Sequence, residues 1–320
     1  MMQRLASAAL YAPSCFYFYP WKPVLNAKVG DSYETAYVHF RRDHSDDVNV
    51  GLHLLALVLQ LVGNFGMLCA LDATLAPMLP GALAAALPGY VAARWLSALT
   101  AASWIAALVV QPAPPACTLV SALAIAAAYS YAPHLPAPAL IDAVAPFVFA
   151  VTAVGLVFAS KRGARRVRLR DCAKAAVYAF APLLVRRVAQ RVLPLLPPLA
   201  LSPPTAFVAF ALTMLALGCL RNPVAPCAVV GALGSRILFA VTGSPAVLFY
   251  GFGHSAQLLQ GAAHEISQQQ ATLLRLENEE DAGKKLRFEW AHCTYFPSLL
   301  FQSAMFGPSI SAARPAAKIA

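Results

Sequence analysis

The chain has 320 residues, of which 59% are hydrophobic and only 12% charged, with a mean hydropathy of +0.62. Soluble domains run near a quarter charged, so this composition excludes an ordinary soluble shell and points to an all-α, polytopic membrane helical bundle. The formal net charge of +10 is explained by basic residues in loops between apolar runs, the positive-inside bias, and no nucleic-acid partner is expected.

In chain order, residues 1–30 read as an N-terminal arm or targeting segment, rich in aromatics and broken by Pro13 and Pro20. Residues 31–307 read as one membrane-embedded helical domain, and 308–320 as a disordered tail. A polar stretch, 31–48, leads into a first apolar span over about 49–71. Further spans are expected over about 88–111, 116–133 and 139–160. Arg94 sits near a span end, where it can snorkel, and Asp142 near the start of another.

The loop 161–174 carries Lys161, Arg162, Arg165, Arg166, Arg168, Arg170 and Lys174, which marks it as cytosolic. Residues 175–200 are apolar but contain Arg186, Arg187 and Arg191, so they are expected to lie as an amphipathic interfacial helix. Two more spans, about 204–220 and 224–250, bring the total to about six transmembrane helices. By that parity the two polar ends, 31–53 and 254–297, share the cytosolic face.

The seven cysteines are scattered and show no CxxC spacing, so neither a disulfide framework nor a zinc knuckle is indicated. The histidines are not scattered. His39, His44 and His53 lie in the first polar end, and His254, His264 and His292 in the second; only His134 stands apart. Neutral imidazole is the commonest side-chain metal ligand, so the two ends are expected to build one metal site. Its ligands are sought among His44, His53, His264 and His254, with the choice between the last two open. His39, Asn49, Gln260, Glu265, Glu289 and His292 are ring-orienting partners or alternative ligands. Gln260 precedes His264 by one helical turn, and Glu289 and His292 form an i, i+3 pair on one face. His44 and His53 are nine apart, so a break near Asp46–Asp47, with Asp47 or Asn49 capping the next helix, is needed for them to converge.

Two stretches resemble a known family. Tyr37…His44…Asn49-Val-Gly-Leu-His53, running straight into an apolar span, resembles the opening of the 2-hydroxy fatty acid dioxygenase family of the fungal α-oxidation type. Gln260-Gly-Ala-Ala-His264 resembles the first half of its second signature, with Gly253-His254 as a competing match. Ser45-Asp46 stands where that family has Asn-Pro, and Gln268 where it has Glu; the matched portions lie at the two ends only. The resemblance implies an Fe(II)-dependent dioxygenase of the endoplasmic reticulum or a bacterial membrane. Such an enzyme shortens 2-hydroxy fatty acids by one carbon with O2, and Arg41 and Arg42 would be placed for the substrate carboxylate. A membrane di-iron fatty acid hydroxylase, or a non-enzymatic transporter or scaffold, are the alternative readings. The first is suggested by His39-x-x-x-x-His44 and the second by the Ala/Leu-rich spans.

Overall fold

The computed structural model describes residues 27–28, 30–76, 81–86, 89, 93–134, 151, 154, 169–192, 194, 201–218, 224–269 and 282–306. The elements among these residues are all helices. The expected span 139–160 with Asp142, most of the N-terminal arm and the tail lie outside the described residues.

Helix α1 (Tyr33–Asp43) starts at Ser32, whose hydroxyl accepts from the Thr35 amide at 3.2 Å. Glu34 in its first turn and Arg41 and Arg42 in its last complement the helix dipole. Tyr33, Ala36 and Phe40 form its buried stripe. The helix ends at His44, and the chain restarts as α2 (Asp47–Leu75). The expected break is present, but its cap is Asp46. That carboxylate accepts from the amides of Val48 at 2.9 Å and Asn49 at 3.2 Å. A cap must stand just outside the helix in extended conformation; Asp47 and Asn49 are already inside. The 29 residues of α2 form a rod about 43 Å long.

Helices α3 (Gly81–Ala86), α4 (Trp95–Val109) and α5 (Pro115–Tyr131) follow, the last extended by a 3-10 turn at Ala132–His134. α4 has no side-chain cap of its own. Asp72 of α2 supplies one, accepting from the amides of Leu96 at 2.8 Å and Ser97 at 3.0 Å. Arg94 does not snorkel outward as expected. It turns inward, donates to the Tyr129 carbonyl and to Cys69 Sγ at 3.3 Å, and lies 4.1 Å over the Tyr129 ring. A carbonyl and an aromatic face together replace the water it would otherwise reach.

The second half comprises α6 (Leu169–Val192), α7 (Pro203–Gly218), α8 (Val224–Thr242), α9 (Val247–Ser267) and α10 (Ala282–Phe306). Two expectations change here. Helix α6 packs against α8 and α9 and buries Cys172, Arg186 and Ala189, while Lys174 pairs with Glu265 near the end of α9. It thus packs against the bundle, with Arg186 drawn inside. The run 224–250 is also not one helix. Gly243, at φ +68°, and Pro245 turn the chain between α8 and α9. Glycine adopts that left-handed conformation without steric cost, and proline cannot continue the ladder.

The turn matters because it sends α9 antiparallel along α2. Ala246 meets Gly66, Phe249 meets Gly63, Gly253 meets Leu59, and His264 meets Asn49. A Cβ at Gly63 would stand 2.7 Å from the Phe249 carbonyl oxygen, and one at Gly253 would stand 2.6 Å from that of Leu59. Small residues therefore set the closeness of this pair, and its register delivers His264 to the beginning of α2. Both histidine-bearing ends do reach one end of the bundle, through this pairing.

α2 also joins two apolar cores among the described residues. One gathers Phe40, Phe65, Trp104 and Tyr295, and the other Met67, Phe207, Phe210 and Tyr250. Of the described helices, α2 and the Pro115–His134 segment are long and apolar enough to cross a membrane. Trp95–Val109, Pro203–Met214 and Pro226–Thr242 are apolar but shorter.

Candidate metal centre

His44 follows the end of α1, His53 lies in the second turn of α2, and His264 occupies the last turn of α9. All three are buried, and one ring nitrogen of each lies within 4.8 Å of the others.

Local structure fixes two of the rings. His44 Nδ1 is 2.9 Å from the Phe40 carbonyl, and His53 Nδ1 is 2.9 Å from the Asn49 carbonyl, each one helical turn back. A carbonyl only accepts, so both Nδ1 atoms carry the proton. Nε2 is then the lone-pair nitrogen of each neutral ring, and these two atoms are 3.3 Å apart. Neutral rings so held aim lone pair at lone pair, and a positive ion relieves that repulsion. At a metal–nitrogen distance of ~2.1 Å, the 3.3 Å separation corresponds to a nitrogen–metal–nitrogen angle of roughly 104°. That angle suits a tetrahedral site or a distorted corner of an octahedron. The ring centroids lie 4.6, 4.7 and 5.0 Å apart with interplanar angles of 90°, 73° and 82°. The three edges converge, as ligands do, and the rings do not stack on one another.

The third ring is held from the side. His264 Nδ1 is 3.3 Å from the Asn49 amide nitrogen, which also reaches the Asp43 carbonyl at 3.3 Å and Gln269 Oε1 at 2.9 Å. Gln269 accepts from the Asp46 amide at 3.3 Å and donates to Ser45 Oγ. It can do so because α9 ends on Gln268 in the left-handed conformation, φ 58°, with the Gln269 amide donating back to the His264 carbonyl at 3.0 Å. One side chain thereby ties the end of α9 to the turn between α1 and α2. Burial pushes the His264 pKa down to about 4, with the Asp43 carboxylate acting against it. The ring is thus neutral at ordinary pH, the form that binds metal.

Aromatic rings flank the site. Phe40 stacks on His44 with centroids 3.9 Å apart and planes within 5°, and Phe296 stands 6.3 Å from His53. Three imidazoles suit iron, zinc, copper or nickel, and the nitrogen set alone does not choose among them.

The other predicted residues fall elsewhere. Arg41 donates to the His44 carbonyl at 2.9 Å, and Arg42 pairs with Asp43 at 3.0 Å. Both guanidinium groups therefore brace the turn that carries His44. Gln260 lies on the α2-facing side of α9 but one turn away, against Gln60 at 3.4 Å; Asn49 and Gln269 take the place expected for it. Glu265 faces outward to Lys174. His39 is half-buried on α1 and is not among the converging three. The side chains of His254, Glu289 and His292 lie outside the described ones. Sequence reasoning missed Phe40, Asp43 and Gln269. The polar run Ser267–Gln270 was the available signal for the last.

The chain matches no protein-family model, no curated protein and no solved structure.

Proposed function

We propose that this chain is an iron(II)-dependent membrane dioxygenase that shortens 2-hydroxy fatty acids by one carbon. The observation that carries this reading is the convergence of His44, His53 and His264. These residues belong to the two separate stretches that resemble the dioxygenase family, and nothing in their sequence spacing alone requires them to meet. The site also stands where a polar segment passes into the long apolar helix α2. An amphiphile could leave its chain among lipids there and bring its head group to the histidines. Outward-facing Val58, Leu119, Leu123, Val208 and Leu212 suit a lipid surround. We place the protein in the endoplasmic reticulum membrane with about six crossings and both histidine-bearing ends cytosolic.

His44, His53 and His264 would hold the ion. When bound, iron(II) supplies open positions at which O2 and the hydroxyl and carboxylate of the substrate can meet. The chain's own contribution is to keep three rings aimed at one point. The Phe40 and Asn49 carbonyls fix two of them, and the Asn49 amide sits against the third. Phe40 and Phe296 keep water from the imidazole faces. Arg41 and Arg42 already engage the His44 carbonyl and Asp43, so a substrate carboxylate would share them with those partners. A two-iron hydroxylase centre needs more donors than the trio gathered among the described residues.

The test is direct. Iron-loaded, detergent-purified protein is incubated aerobically with 2-hydroxypalmitic acid, and products are read by mass spectrometry. A product one carbon shorter that requires O2 and vanishes in His264→Ala is expected. No shortened product from any 2-hydroxy acid, with iron bound, would overturn the substrate assignment.

A further inference from the structure

The amide of Asn49 is mismatched as it stands. Its nitrogen has two hydrogens but faces three acceptors: the Asp43 carbonyl at 3.3 Å, His264 Nδ1 at 3.3 Å and Gln269 Oε1 at 2.9 Å. Its oxygen, Oδ1, is buried with no hydrogen-bond partner. A buried orphan acceptor is costly, and its presence beside a metal-binding ring points to a second arrangement of the same groups.

In the arrangement shown, His264 Nδ1 accepts, so a neutral ring carries its proton on Nε2. That tautomer has no lone pair on Nε2 to give to an ion. Loading through Nε2 moves the proton to Nδ1, which then needs an acceptor. Turning the Asn49 amide by half a rotation puts Oδ1 there. Turning the Gln269 amide with it lets Gln269 Nε2 donate to the same Oδ1, while Ser45 Oγ donates to Gln269 Oε1. The cost is that Asn49 Oδ1 then faces the Asp43 carbonyl oxygen and Gln269 Nε2 faces the Asp46 amide, both at 3.3 Å. The gain is at Oδ1, which takes two hydrogens, from Gln269 Nε2 and from His264 Nδ1, while Asn49 Nδ2 moves to the buried position that Oδ1 held.

We propose that Asn49 is the positioning residue that selects the metal-binding tautomer of His264, with Gln269 holding Asn49 in the turned orientation. The inference rests on the three-histidine centre proposed above, and it adds a pair of amides that switch together as the ion arrives. The same logic makes a ligand's other ring nitrogen matter at metal sites generally, where loss of its partner lowers affinity about 10–100-fold.

Cobalt(II) serves as the probe, because its visible absorption reports both affinity and the ligand field. Full-length protein in detergent is titrated as wild type, Asn49→Asp, Asn49→Leu, Gln269→Leu and His44→Ala. Asn49→Asp keeps an acceptor facing Nδ1, while Asn49→Leu keeps the volume and removes it. The expected result is weakening of about 10–100-fold in Asn49→Leu, a smaller weakening in Gln269→Leu, and affinity at or above wild type in Asn49→Asp with an altered absorption band. If Asn49→Leu binds like wild type, or Asn49→Asp is as weak as Asn49→Leu, while His44→Ala loses cobalt, the tautomer role is overturned and the metal centre stands. If wild type and His44→Ala behave alike, the centre itself fails. Should Asn49→Leu not fold, Gln269→Leu decides, since Gln269 lies at the bundle end and is only half-buried; unchanged affinity there overturns the proposal.

Discussion

Helix α2 carries a buried polar cluster at each end, and the two are built on opposite principles. At the far end, the Asp72 carboxylate accepts two amides from the start of α4 and the Ser97 hydroxyl. Its oxygens complete a helix terminus that has no cap of its own. At the near end, His44 Nε2 and His53 Nε2 face each other at 3.3 Å, and Asn49 Oδ1 is buried with no hydrogen-bond partner. Asp72, His44 and His53 are about equally buried. Burial therefore does not separate a structural polar group from a ligand. Whether neighbouring backbone and side chains supply the opposite hydrogen-bonding partner does.

Metal removal should break the comparison most sharply. An ion present at a thousand times its dissociation constant stabilises the fold by about 4 kcal/mol. Chelation should therefore lower the unfolding temperature of wild type markedly and leave His53→Ala, already without its ion, nearly unmoved. An equal response of both proteins to chelator would show that no ion was stabilising the near end.

A change at neither cluster should still reach the near one. Gly63→Leu forces α2 away from the Phe249 carbonyl at a cost of about 1–3 kcal/mol. Because the α2–α9 register delivers His264, metal affinity should drop with all three histidines intact. Unchanged affinity in a folded Gly63→Leu would mean that the site does not depend on this helix pair.

Asp72→Ala should do the reverse, removing the cap of α4 at a cost of about 1–2 kcal/mol. Denaturation should show the loss, and metal content should stay at the wild-type level. A loss of metal there would contradict the separation of the two ends.

The smallest expected effect is on pH dependence. The folded-state pKa of His264, about 4, lies below its ordinary 6.5. As pH falls from 6.5 toward 4, the unfolded chain takes up a proton that the folded chain refuses, so metal-free protein should lose stability across that window. His264→Gln should flatten the loss, which denaturant titrations at several pH values would read.

Some of this was legible beforehand because it is local. The break between α1 and α2 was expected near Asp46–Asp47 with Asp47 or Asn49 as its cap; it lies there with Asp46 capping, and it lets residues nine apart converge. The apolar runs located most helices, since hydropathy does not depend on partners. What depends on partners was not legible. Arg94 turned inward because Tyr129 of another helix offers a carbonyl and a ring. Gln260, one turn before His264, was expected to orient the ring, and Gln269 was passed over. Only the α2–α9 register sends one to Gln60 and the other to Asn49. The glycines that set this register, Gly63, Gly66 and Gly253, carry a trace of it in their spacing. A single chain does not say which helix they face. Gly243 and Pro245 were visible as turn formers, yet the apolar residues on both sides concealed that α8 and α9 are separate.

The central claim is that His44, His53 and His264 hold one ion together. Elemental analysis of detergent-purified wild type beside His53→Ala and His264→Ala tests it most directly. The account predicts one metal ion per chain in wild type, with iron the metal present, and a severalfold loss in each variant. Metal content that is the same in all three proteins would contradict it.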